Sequence, residues 1–224
     1  MAPPPLHDAA SSWLGWDSRT GQTVRHPQLQ GLPDSPTNLT ASPRKYGFDA
    51  TMKAPFRLAD DATISDLRAA CADRLPELGA SFGEAVSARL LVSAFNGFVA
   101  AIPSEPSETL NALAAGLVEE FDDFRAPLTD EELNKRRSSR LTSRQEQLLR
   151  TWGYPFVMEA FQFHMTLTGQ RPHAEALVIA DVLKRHFARV MPDPFEVRTI
   201  ALLGEATNGF FHVIEEYPLA SRSN

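Results

Sequence analysis

The sequence is short of several things, and each shortage excludes a class of protein. One cysteine, Cys71, occurs in 224 residues. That rules out an internal disulfide and a metal site built of several thiolates. No apolar run approaches the ~20 residues of a membrane-spanning helix. The opening, MAPPPLHDAASS, lacks the basic and apolar stretches of a secretory signal. Positive charge is not in excess: 22 Lys and Arg against 28 Asp and Glu leave a formal net charge of −6. This argues against duplex nucleic acid as the main partner, since phosphate binding calls for a basic surface, but it leaves room for a local basic pocket. A cytoplasmic protein is expected, with no membrane partner. The 43% hydrophobic fraction is ordinary for a globular chain, and the length suits one large domain or two small lobes.

Residues 1–45 are rich in Pro, Ser, Thr and Asp. They read as a short helix from near Leu6 into Trp13-Leu14-Gly15-Trp16-Asp17, followed by loop. Gly47 to Pro55 reads as a strand. Ile64, Leu67, Cys71, Leu75 and Leu78 then recur at helical spacing behind a cap at Thr63-Ile64-Ser65-Asp66, with Pro76 expected to end or bend the helix. Val86 to Ala94 is strand-like. Asn96-Gly97 is a two-residue hairpin turn, and Phe98 to Ile102 returns from it. Leu110 to Phe124 forms an amphipathic helix. The stretch 125–155 is polar, basic in its middle and weakly helical. After it the order recurs: strand Phe161 to Thr168, helix Ile179 to Val190, strand Phe195 to Leu203, Asn208-Gly209, and strand Phe210 to Ile214.

Strand, helix, strand, Asn-Gly, strand is thus written twice. Asp49 and His164 lie 115 positions apart and Gly97 and Gly209 lie 112 apart. The expected fold is α+β: duplicated β-α-β-β lobes related by a pseudo-twofold axis, with antiparallel sheets lining a central cleft and helices outside. One bilobal domain fills residues 1–224, with lobe one at about 46–124, a helical basic connector at about 125–155, and lobe two at about 156–218.

The repeated frame carries the chemistry. Phe48-Asp49-Ala50-Thr51-Met52 aligns with Phe163-His164-Met165-Thr166-Leu167. Alternate residues of a strand share a face. Asp49, Thr51 and Lys53 would therefore line one polar row, and His164, Thr166 and Thr168 another, with Ala50, Met52, Met165 and Leu167 turned to the core. A lone H-x-T on a half-buried strand is ordinarily a solvent-facing row, whereas two framed copies point to a shared site. Asp49 and His164 alone make a poor metal site, so neither metal nor cofactor is expected.

Two H-x-T strands, one per lobe, resemble those of the two-histidine phosphoesterases, the LigT-like fold. More closely, Trp13 to Asp17, Tyr46 to Leu58, Phe124 to Pro155 and Phe161 to Gly169 resemble the motifs of a bacterial subgroup encoded in phosphonate-utilisation operons, and the likeness runs over nearly the whole chain. The resemblance implies a metal-independent phosphodiester hydrolase. Its two histidines would act as general base and general acid, and its threonines would hold phosphoryl oxygens; here these are His164, Thr166 and Thr51. An imidazole with a pKa of about 6.5 suits both roles at neutral pH.

The chain departs from that pattern twice. Asp49 stands where the family has histidine. To donate a proton at pH 7 a carboxyl needs a shift of about three units, roughly 4 kcal/mol. An ionised carboxylate also repels a bound anion by about 4 kcal/mol at ~4 Å and an effective dielectric near 20. Losing a general acid or base costs about 10²–10⁴ in rate, so a weakened or inactive catalyst is expected. The second departure is that the family carries a strand before its Pro-Pro-Pro, where this chain reads Met1-Ala2-Pro3; an unpaired sheet edge is the expectation.

Lys135, Arg136, Arg137, Arg140, Arg144 and Arg150 cluster in the connector, with Glu146 among them. They read either as a solvated helix face or as an arm bringing guanidinium groups to a phosphate or phosphonate, and Arg137 is favoured. Lys53 is a candidate anion ligand that would also pair with Asp49 and hold its carboxyl down. Tyr46 is a candidate ligand contact, Tyr154 a packed residue and His186 a core residue. His7, His26, His173 and His212 belong to no evident constellation. The function expected is a phosphodiesterase-like protein of phosphonate metabolism acting on a small anionic phosphorylated metabolite. The alternatives are a non-catalytic phosphate- or phosphonate-ester binding module and an RNA end-processing phosphoesterase.

Overall fold

The structure, a computed structural model, describes residues 2–82, 85–137 and 140–219. In chain order the elements are α1 (Pro4–Leu14), β1 (Trp16–Asp17), β2 (Gln22–Thr23), α2 (Pro36–Leu39), α3 (Ile64–Ser81), β3 (Ser87–Ala88), β4 (Leu90–Phe95), β5 (Phe98–Pro103), α4 (Glu108–Glu120), α5 (Asp130–Arg136), α6 (Ser143–Trp152), β6 (Met165–Thr166), α7 (His173–Phe187), β7 (Phe195–Glu196), β8 (Thr199–Glu205) and β9 (Phe211–Pro218). The fold is α+β with small antiparallel sheets. Among the described residues no helix is long and apolar enough to cross a membrane. The chain divides into two compact units. Unit one takes residues 1–50, 87–106 and 164–217, and unit two takes 51–86, 107–163 and 218–224.

In unit one, α1 opens on Pro4 and Pro5, where a missing N–H costs nothing. It closes on Gly15 at φ 80°, whose N–H returns to the Ser11 carbonyl. A Cβ at Gly15 would stand 2.6 Å from the His26 ring. Trp13 is fully buried and donates its indole N–H to the Leu167 carbonyl at 2.8 Å. Trp16 donates to the Phe211 carbonyl at 3.2 Å. The Trp-Leu-Gly-Trp-Asp motif thereby ties α1 to the end of β6 with one indole and to β9 with the other.

The Asn96-Gly97 turn takes φ 47° and 87°, the two positive values that a tight hairpin needs. It joins β4 to β5 in register from Phe95↔Phe98 to Leu90↔Pro103. β5 then pairs with β6 through Ala100↔Thr166 and Ala101↔Met165. Helix α7 covers this sheet with Ile179, Ala180, Leu183 and Phe187 buried. The Asn208-Gly209 hairpin is a wider loop, closed by the Ala206 N–H on Phe210 O and the Gly209 N–H on Ala206 O.

Unit two is helical. Thr63 and Asp66 cap α3 reciprocally, and Leu67, Cys71 and Leu75 form its buried stripe. They face the stripe Leu110, Leu113, Ala114, Leu117 and Val118 of α4. Gly116 permits the close approach, since a Cβ there would lie 2.9 Å from Leu78 Cδ1. Thr129 with Glu132 and Thr142 with Gln145 cap α5 and α6 in the same way. Leu148 and Val157 pack on Val118, with Trp152 and Tyr154 against them.

Four expectations are corrected. Gly47 to Pro55 is irregular chain: Gly47 at φ 84° follows a 3-10 turn over Pro43–Lys45, and no ladder includes the stretch. A strand needs a partner as well as a pattern. Of Phe161 to Thr168, only Met165 and Thr166 form a strand, because a 3-10 turn at Met158–Ala160 sets the preceding chain. Val86 to Ala94 is broken at Arg89, its first part pairing with β7 and its second with β5. Pro76 does not end α3, which runs on to Ser81, held by Leu75 and Leu78 on either side of it.

Replacing Trp13 by Phe leaves the buried Leu167 carbonyl without its donor and opens space beside it. The expected loss is about 2–4 kcal/mol, read as a lower midpoint in urea unfolding at unchanged slope.

Candidate functional site

Unit one holds Tyr46, Asp49, His164 and Thr166 of the expected site, and unit two holds Thr51, Lys53 and Arg137. Burial alternates along Phe161 to Leu167, of which His164 to Leu167 belong to unit one. Phe161, Phe163, Met165 and Leu167 are buried, while Gln162 is exposed and His164 and Thr166 are partly so. His164 and Thr166 therefore share the side of β6 that Met165 and Leu167 do not. The His164 ring lies against Phe95 and Phe98, with centroids at 5.5 and 5.6 Å. The row ends at Thr166. Thr168 is turned inward, where its hydroxyl accepts the Val99 N–H at 2.9 Å and donates to the Gly169 carbonyl.

Phe48 is buried and stacks on Phe187 at 6.5 Å, which fixes the chain just before Asp49. Asp49 keeps some exposed surface, yet it is packed densely enough that burial pushes its carboxyl up to about 7. Sequence reasoning expected Lys53 to hold it down. That is corrected, because Lys53 gives its ammonium elsewhere. Tyr46 stacks on Phe211 at 5.0 Å and is half exposed.

His7, which the sequence left without a role, is buried on α1. Its Nε2 meets Asp17 Oδ1 at 3.1 Å and Ser11 Oγ at 3.3 Å. Both partners use one nitrogen, so these three residues do not form a proton relay, which needs the two nitrogens separately engaged.

In unit two, Thr51 is exposed. Lys53 donates to the Val118 carbonyl at 3.0 Å and to Asp122 Oδ1 at 3.2 Å. Arg125 grips the same carboxylate with two bonds of 2.8 Å. Burial pulls the Lys53 ammonium down against the opposing pull of Asp122. Burial alone would raise Asp122, but the bonds from Arg125 and Lys53 outweigh it and hold the carboxyl low. Arg137 pairs with Glu146, which Arg150 shares, and Arg144 pairs with Glu159.

A shallow hollow, enclosing only about 10 Å³ and otherwise open to solvent, lies among Lys53, Phe56, Arg125, Arg136, Trp152 and Tyr154, with apolar residues between them. Arg136 was one cation among six in the sequence and Arg125 was not singled out. The signal that could have marked them is their place beside the aromatic Phe124 and Trp152-Gly153-Tyr154 segments. No group of three or more His, Cys, Asp or Glu among the described residues could hold a metal ion.

Residues 51–212 match the family described as Protein of unknown function (DUF1045). The chain is 38% identical over 208 residues to the ribose 1,5-bisphosphate phosphokinase PhnN of Janthinobacterium sp. (strain Marseille), an alignment covering 88% of this chain and 44% of that protein. It is 29% identical over 213 residues to the ribose 1,5-bisphosphate phosphokinase PhnN of Laribacter hongkongensis (strain HLHK9), covering 94% and 48%. The chain spans less than half the length of the curated relatives it matches.

The raised Asp49 carboxyl makes a prediction about stability. A carboxyl higher in the folded than in the unfolded chain binds its proton more readily when folded. Its contribution is intact below the ordinary value of 3.8, is lost as pH rises towards about 7, and stays at a constant deficit above that. The deficit is at most about 4 kcal/mol, less for the solvent that reaches the residue. Asp49→Asn should therefore stabilise the protein more at pH 8 than at pH 5 in urea unfolding. An equal effect at both pH values would contradict the shift.

Proposed function

The chain belongs to the DUF1045 family, and we propose that it is a phosphodiesterase-like protein of phosphonate metabolism acting on a small phosphorylated metabolite without a metal. The observation that carries this reading is the side of β6 bearing His164 and Thr166, opposite a core of Met165 and Leu167. We read it as one H-x-T row of a two-histidine phosphoesterase. In the same reading, Asp49 and Thr51 are its counterpart in the repeated frame, and residues 46–124 and 156–218 are copies of one β-α-β-β lobe.

The raised Asp49 carboxyl changes its expected part in the chemistry. With a value of about 7, a large share of the group is protonated at neutral pH. A neutral carboxyl does not repel a phosphodiester, and a nearby anion would raise its value further. We therefore assign Asp49 as the proton donor to the leaving oxygen and His164 as the base that takes a proton from the attacking hydroxyl or water. Thr166 donates its hydroxyl to a phosphoryl oxygen.

The activity for which the relatives are named points to a phosphorylated ribose as the class of metabolite. We assign the phosphokinase step to the part of those proteins outside the matched region. These 224 residues contain no G-x-x-x-x-G-K-[ST] run, the loop that cradles nucleotide phosphates.

A panel of cyclic and linear ribose phosphodiesters tests the reading. The intact protein is expected to turn over at least one, with a rate that falls above pH ~7 as Asp49 ionises. His164→Ala and Asp49→Asn should each lower that rate by about 10²–10⁴. Binding without turnover would leave the protein a receptor. Turnover indifferent to both substitutions would move the chemistry to other residues.

A further inference from the structure

The charged residues lining the hollow of unit two are all cations: Lys53, Arg125 and Arg136. One carboxylate, Asp122, serves the first two. Three positive side chains less one negative leave two positive charges in excess.

Each cation also has donors left over. Lys53 carries three N–H groups and uses two, on Val118 O and Asp122. Arg125 commits Nε and Nη2 to Asp122 and the Thr151 carbonyl. Its Nη1 lies over Gly153, where a Cβ would come within 3.0 Å. Arg136 makes one long bond, from Nη2 to the Pro55 carbonyl at 3.4 Å, and its guanidinium sits 5.2 Å from the centre of the Tyr154 ring. Among the described residues it meets no carboxylate. In this it differs from its neighbours Arg137, Arg144 and Arg150, each of which pairs with a glutamate.

The walls are as selective as the charges. Phe56, Trp152 and Tyr154 present aromatic rings, and Pro55, Leu128 and Val157 present apolar surface. Tyr154 and Lys53's neighbour Phe56 hold their cations by ring contact. The hollow is shallow: its enclosed space is only about 10 Å³, room for one water-sized group, and the rest opens to solvent. A tetrahedral oxyanion would therefore bind across its mouth, with any sugar ring resting on the exposed aromatic edges.

We propose that this hollow binds the phosphoryl group of a small phosphate monoester, with Arg136 as the principal fork and Lys53 and the Arg125 Nη1 edge as supporting donors. This site stands independently of the assignment of Asp49 and His164. Arg suits the first role because its planar pair of N–H groups matches two phosphoryl oxygens. Gly153 has a part in the site: its left-handed cap at φ 74° admits the Arg125 guanidinium.

Titration calorimetry of the whole chain, with inorganic phosphate and ribose 5-phosphate as separate probes, tests the proposal. Trp152 fluorescence serves as a second readout. Saturable binding is expected for both probes, tighter for the sugar phosphate because it adds contact with the rings. Arg136→Ala should weaken both by about tenfold or more, and Arg136→Lys by less, since charge is kept and the fork lost. Arg144→Ala removes the same charge outside the hollow and should leave binding unchanged. Circular dichroism checks that each variant is folded. The proposal is overturned if neither probe binds, if Arg136→Ala and Arg136→Lys both bind as the parent does, or if Arg144→Ala weakens binding as much as Arg136→Ala. If His164→Ala abolishes phosphate binding while Arg136→Ala does not, the anion sits with His164 and the hollow is no site.

Discussion

The indole N–H of Trp13 reaches across 154 positions of sequence to the carbonyl of Leu167, and the geometry of the first unit follows from that bond. The stretch Phe161 to Thr168 has little ladder of its own. Its backbone is satisfied piecemeal instead, with the Leu167 N–H on Val99 O at 2.8 Å, the Leu167 carbonyl on Trp13, and the Thr168 N–H again on Val99 O. Buried backbone groups must be paired, so these contacts determine which way each side chain turns. Leu167 goes to the core and Thr168 goes inward as an acceptor for Val99. His164 and Thr166 are left on the other side. A two-residue strand is enough to define a polar row because its neighbours are pinned by a buried tryptophan.

In the second unit, charge takes the part that the indole takes in the first. Three reciprocal caps set where α3, α5 and α6 begin, and Asp122 gathers Lys53 and Arg125 onto one carboxylate beside α4. Exposed ion pairs such as Arg57 with Glu132 contribute little singly. The partly buried Asp122 cluster is different in kind: burial works against both partners, and only their mutual bonds keep it ionised.

Much of this was legible in the sequence because it is local. The cap at Thr63, the apolar stripes of α4 and α7, and the Asn96-Gly97 turn are each written within a few residues. The face carrying His164 and Thr166 was legible too, since alternation needs only the immediate neighbours. The same alternation failed at Gly47 to Pro55, where pattern without a partner strand gave irregular chain. Asp49 shows the limit most clearly. The letter alone argued for a charged, repelling carboxylate, and the burial that lifts it depends on residues distant in sequence. The pairing of Lys53 with Asp122, 69 positions away, was hidden for the same reason, as was the position of Arg136 over Tyr154.

The two units are interleaved: each is assembled from three separate stretches, and the chain passes from one to the other at residues 50, 86, 106, 163 and 217. Neither unit exists as a continuous segment of the polypeptide. As the chain leaves the ribosome, Trp13 must wait for Leu167, and the sheet of β4 and β5 must wait for α7, before a stable core can close. Such long-range closure is slow, so the first unit's core closes only once the chain has been made through α7. Cutting the gene anywhere between those crossings removes pieces of both cores together, and expression of either half as a fragment would yield chain lacking its complement.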